Sequence, residues 1–182
     1  MIVKTGEDRI ALIGERLTVK VARSNPVRFS RDLSSLARDH GVGDAVGAWR
    51  RSTTHDNQSL RGLLLRGVAA NRREGRLARD YEVVVPTISL PGGVINVQPT
   101  AQPVELPHRE IHSSFVDHLG PRVTKLAHML ERPGNLGVLD GYVKFVDGGS
   151  QGLEELMHSQ PDDVEQALLD IGGMLGLQPS MV

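Results

Sequence analysis

The chain has 182 residues, 39% of them hydrophobic and 3% aromatic, with 21 Lys and Arg against 22 Asp and Glu and a net charge of -1. It holds no cysteine, which excludes disulfides, thiolate zinc sites and cysteine nucleophiles. Its rings are Phe29, Trp49, Tyr81, Phe115, Tyr142 and Phe145, too few for an aromatic base-stacking surface.

Met1 to Asp8 lacks the apolar stretch of a signal peptide, and no window approaches the roughly 18 apolar residues of a membrane span. The expectation is a cytoplasmic protein, or one packaged or exported without a cleaved signal. Residues 9–22 end in alternation, with Leu17, Val19 and Val21 against Thr18, Lys20 and Ala22, which predicts a strand. Asn25-Pro26 caps a helix with Phe29, Leu33, Leu36 and Ala37 on one face, and Gly41 stops it. Val42, Ala45, Val46 and Trp49 mark a second, short helix. A third is predicted from about Gln58 to Asn71 or Arg79, with Gly75 as a candidate end.

Beyond residue 80 the texture changes. Tyr81–Val85 and Val94–Val97 are β-rich and joined through Pro86 and the Leu90-Pro91-Gly92-Gly93 turn. Prolines 86, 91, 99, 103 and 107 make this stretch an edge hairpin, an extended arm or a surface loop, because proline donates no ladder hydrogen bond. Pro107 opens a helix with Ile111, Phe115, Val116 and Leu119 inward. Another follows Gly120-Pro121 with Val123, Leu126, Ala127 and Leu130 inward. Tyr142–Val146 reads as a strand, Leu153–Met157 as a short helix, and Pro161 as the start of the last helix. There Asp162 and Asp163 suit the helix dipole, and Val164, Leu168, Ile171 and Leu175 line the buried side.

Charge is distributed unevenly. Residues 1–80 carry 16 Lys and Arg against 9 acids, and residues 81–182 carry 5 against 13. Either the basic half binds an anionic partner, or the halves attract each other within or between subunits. Arg61, Arg66, Arg72, Arg73, Arg76 and Arg79 fall on one side of the third helix, opposite Leu60, Leu63, Leu64 and Val68. That cationic face is the candidate site for an anionic partner, whether phosphates, an anionic membrane or an acidic protein.

Three further constellations carry chemistry in principle. Leu33 to Arg51, with Ala37, Gly41, Val42, Val46 and Trp49 in place, resembles the DNA-reading helix-turn-helix motif, which implies nucleic-acid binding. The Val42-to-Val46 spacing is one residue shorter than that motif's, and Gly43 and Gly47 sit where base-contacting side chains project. Gly148-Gly149-Ser150-Gln151-Gly152 satisfies G-x-S-x-G between a predicted strand and helix, as a nucleophile elbow requires, but only His158 follows it, ahead of Asp162, Asp163 and Asp170. His108 and His112 share a helix face as metal pairs do, and His118 points elsewhere. They read as surface or capping histidines, so no metal, cofactor or catalytic residue is assigned.

These observations predict an α+β fold: about six or seven helices, a small, largely antiparallel sheet and a proline-rich extended segment. The organisation is a basic, mainly helical lobe (1–80) and an acidic α+β lobe (81–182), or one compact domain. The expected function is a non-catalytic assembly or adaptor protein, self-associating or bound to another protein through complementary charged surfaces. A virus, phage or secretion-machine component would suit such a chain. The alternatives are a nucleic-acid-binding regulator using residues 33–79, and a small hydrolase at Ser150 or metal enzyme at His108 and His112.

Overall fold

The computed structural model describes residues 1–6, 8–23, 60–130 and 134–177. The chain divides into two compact units, one of residues 1–72 with 88–97 and the other of residues 73–87 with 98–182. Helix α1 (Leu60–Asp80) contributes its residues up to Arg72 to the first and the rest to the second.

The first unit is built on an antiparallel meander of β1 (Ile2–Thr5), β2 (Arg9–Ile13) and β3 (Leu17–Ala22). Its turns are closed by the Gly6 N–H donating to the Arg9 carbonyl at 2.8 Å and the Gly14 N–H donating to the Leu17 carbonyl at 2.9 Å. Strands β4 (Ile88–Ser89) and β5 (Ile95–Pro99) extend the sheet in the order β1-β2-β3-β5-β4. Helix α1 lies against the meander at Gly67, where an added Cβ would meet the Asp8 carbonyl oxygen at 2.2 Å and Ala22 Cβ at 3.1 Å. A side chain there would force the helix off the strands.

In the second unit, β6 (Gln102–Pro103), β7 (Leu136–Leu139) and β8 (Tyr142–Phe145) form a three-stranded antiparallel sheet. Asp140 (φ 52°) and Gly141 (φ 81°) link β7 to β8, the paired positive φ angles of a tight hairpin turn. Three helices pack here: α2 (His108–Leu119), α3 (Gln151–Ser159) and α4 (Pro161–Met174). Phe115 and Phe145, both fully buried with ring centroids 5.9 Å apart, sit among Leu77, Leu126, Leu153, Leu156, Val164 and Ile171.

The α+β class and the antiparallel sheets are present. The helix number differs from the expectation: four α-helices longer than one turn occur among the described residues, not six or seven. The helices expected at 26–41 and 42–49 lie outside the described residues. The helix expected after Gly120 is a seven-residue 3-10 segment (Gly120–Leu126) followed by one α-turn (Ala127–Leu130). Val123, Leu126 and Leu130 nevertheless point inward.

Gly75 does not end α1, since Glu74 and Leu77 on either side are both buried, and their anchoring outweighs the roughly 1 kcal/mol helical penalty of glycine. Val116 is exposed rather than inward, because Ile111, Phe115 and Leu119 already form the buried seam and Val116 stands about 100° off it. Tyr81–Val85 is no strand but makes a single parallel bridge at Val84 to Phe145. The proline-rich stretch supplies edge strands β4 and β6, whereas β5 lies inside its sheet. No helix among the described residues is long and apolar enough to cross a membrane.

Candidate functional site

Four arginines of α1, Arg72, Arg73, Arg76 and Arg79, make contacts within the chain. Arg72 Nε donates to the Gly92 carbonyl at 3.0 Å. Arg73 Nε donates to Glu154 Oε2 and its Nη1 to the Gly149 carbonyl, each at 2.7 Å. Arg76 Nη2 reaches Glu154 Oε1 at 2.7 Å. Arg79 touches its neighbour Asp80 at 3.2 Å on an exposed surface. Arg66 is half-buried, and Arg61 lies in the first turn of the helix.

Arg73 and Arg76 are three apart, hence on one face, and both clasp the first turn of α3. Burial alone would push Glu154 up. The hydrogen bonds from Arg76 and Arg73, with their charges, outweigh it and hold the carboxyl below the usual glutamate range. Beside this pair, fully buried Glu74 accepts the Gly148 N–H at 3.1 Å. At this cluster, residues of the basic half meet residues of the acidic half inside one unit of one chain.

Close packing accounts for two of the glycines around Ser150. A Cβ on Gly148 would lie 2.9 Å from Val84 Cγ1, and one on Gly152 would lie 2.1 Å from the Lys125 carbonyl oxygen. Both glycines therefore permit close packing at a strand-to-helix turn. Ser150 has ordinary extended backbone (φ -75°, ψ 136°), not the strained geometry of a nucleophile elbow, and His158 Nδ1 contacts the Glu154 carbonyl at 2.6 Å. His118 Nε2 is 2.7 Å from Asp170 Oδ2, tying α2 to α4. The rings of His108 and His112 lie 5.9 Å apart. Among the described residues no group of three or more His, Asp and Glu could hold a metal ion. The helix-turn-helix-like segment 33–51 lies outside the described residues.

A feature missed in the sequence is one face of the five-stranded sheet. Asn96 Nδ2 donates to the Asn71 carbonyl of α1 at 2.9 Å, so Asn96 faces the helix, and Ala22 faces it too, against Gly67. Thr18 and Lys20 share the side of Ala22 and are each only 5% exposed. Strand pairing then places Val3, Ile10, Leu12, Leu17, Val19 and Val21 on the opposite face, joined by Ile95, Val97 and Ile88.

None of these nine apolar side chains is buried; Val3 is 56% exposed, Leu17 55% and Ile88 69%. Among the side chains whose burial is described, the buried apolar ones belong to the second unit. Among the described side chains of the first unit, those buried under α1 are polar, and the apolar ones on the other sheet face stay partly exposed. The alternation in β3 was readable in the sequence. Which of its two faces turned inward was not, because α1 decides it from some 45 residues away.

No family model, curated protein or solved structure matches this chain.

Proposed function

We propose that this is a non-catalytic assembly protein that works through protein–protein contact and self-associates through the open face of its five-stranded sheet. The observation that supports this reading is the inverted burial of β3, with Lys20 and Thr18 covered and Leu17, Val19 and Val21 left partly in water. Contiguous exposed apolar surface of this kind is unfavourable in a monomer and marks an interaction site.

The face carries no charge, only apolar residues and Thr5, so the same face of a second copy meets it without repulsion. Two such sheets pack at about 10 Å, as the halves of a sandwich do. Five strands of two to six residues, about 4.8 Å apart, cover very roughly 350 Å² per partner. That is smaller than a standard stable interface and favours weak, concentration-dependent association over a permanent dimer.

The test is molar mass by light scattering over a wide concentration range, for the natural chain and for Leu12→Lys combined with Val19→Lys. The natural chain is expected to rise above its 19.8 kDa monomer mass, and the double variant to stay there with an unchanged melting temperature. A natural chain that is monomeric throughout would remove self-association. A double variant that no longer folds would show that the face is covered within the chain itself.

A further inference from the structure

His108 and His112 are one helical turn apart on α2, with ring centroids 5.9 Å apart and planes tilted by 34°. Among the described residues neither imidazole has a hydrogen-bond or ion-pair partner, in contrast to His118, which is held by Asp170, and His158, which is held by the Glu154 carbonyl. His108 is exposed and His112 half-buried, so water and solutes reach both. The four-residue spacing is the one that lets two imidazoles on a helix ligate a single ion.

With metal–nitrogen bonds of about 2.0–2.1 Å and tetrahedral angles, two ligating rings have centroids roughly 5 Å apart, and the observed 5.9 Å is close to that separation. Arg109, between them in sequence, stands about 100° round the helix from His108. Glu110 in the first turn sets a carboxylate against the positive end of the helix.

We infer that His108 and His112 form a two-imidazole binding site for a divalent cation that prefers nitrogen ligands, of the zinc, nickel or copper(II) type, with water in the remaining positions. Hard cations such as Mg²⁺ require oxygen ligands and are not bound there.

The experiment is calorimetric titration of the full chain, carrying no affinity tag, with zinc chloride, nickel sulfate and magnesium chloride. One Zn²⁺ or Ni²⁺ per chain is expected to bind and to raise the melting temperature, and Mg²⁺ is expected to do neither. His108→Ala and His112→Ala are each expected to weaken the affinity by at least about tenfold, since each leaves a single ligand, whereas His118→Ala should leave it unchanged. Far-UV circular dichroism confirms that the variants fold. Binding of the same affinity in His112→Ala, or no binding of Zn²⁺ or Ni²⁺ by the natural chain, would overturn the inference.

Discussion

Arg73 Nε donates to Glu154 Oε2 at 2.7 Å across 81 residues of sequence, and the two side chains are only 17% and 21% exposed. Arg76 occupies the other carboxylate oxygen, so one acid pairs with two of the six arginines on the helix. What reads in sequence as a cationic stripe is in part the inner lining of a clasp.

Glu154→Gln keeps the shape of the side chain and removes its charge. It should destabilise the fold by about 1.5–3 kcal/mol, the range for hydrogen bonds to charged groups. Arg79→Gln, at an exposed pair, should stay within about 0.5 kcal/mol. Urea midpoints with unchanged slopes would check both. The folded pKa of Glu154 lies below the unfolded value, so its contribution is present above about pH 4.3 and is lost as pH falls through the depressed folded value. In Glu154→Gln that part of the acid-side dependence should vanish.

Asp170 makes a weaker pair. The hydrogen bond from His118, and then that from Gln166, holds its carboxyl below the ordinary aspartate range, but the side chain is 43% exposed and water screens the contact. Asp170→Asn should therefore cost less than about 1 kcal/mol, and less still in high salt. Because the folded pKa is again the lower one, this small contribution disappears on the acid side. Melting temperatures of the two proteins should differ most at low salt with Asp170 ionised, and converge in strong acid.

The legible parts of the chain are those governed by local rules. Helix α4 begins at Pro161 and buries Val164, Leu168 and Ile171, because helix starts and the 3.6-residue period are written within a few residues. Strand β8 is bounded by its turns for the same reason. Strand β7, Leu136–Leu139, carries no sequence signal: with Gly137 inside it and only four residues long, it has almost no pattern of its own, and pairing to β8 makes it a strand. Gly137 itself packs tightly, since a Cβ there would lie 2.8 Å from Ala101 Cβ. The candidate site was legible in composition only. The arginines were visible, but their partner Glu154 lies 81 residues from Arg73 and no local signal links them.

Three glycines in helices separate propensity from packing. In a solvated helix Gly→Ala gains about 0.5–1 kcal/mol. Gly173 in α4 has nothing within 4 Å of an added Cβ, so Gly173→Ala should raise stability by up to that amount. Gly67 and Gly152 would place a Cβ 2.2 Å and 2.1 Å from backbone carbonyl oxygens, which cannot move without their strand or helix. Gly67→Ala and Gly152→Ala should each cost about 1–3 kcal/mol despite the better propensity. Denaturant midpoints for the three single variants, with opposite signs for Gly173 and the other two, would confirm the close approaches.

The two faces of the first sheet should answer mutation in opposite ways. On the side under α1, Asn96 is fully buried and donates to the Asn71 carbonyl, while Asn71 Nδ2 donates to the Val94 carbonyl at 3.2 Å. Asn96→Leu adds hydrophobicity yet removes a buried hydrogen bond, and should lower stability by about 1–3 kcal/mol. On the open side, Leu17→Lys replaces a side chain that is 55% exposed and should change monomer stability by no more than about 0.5 kcal/mol. An ordinary core sheet gives the reverse order, with Leu→Lys ruinous and Asn→Leu harmless. Chemical denaturation at a concentration low enough to keep the chain monomeric distinguishes the two. If Leu17→Lys proved the more damaging, the apolar face would be the buried one, and the surface assigned to self-association would not exist.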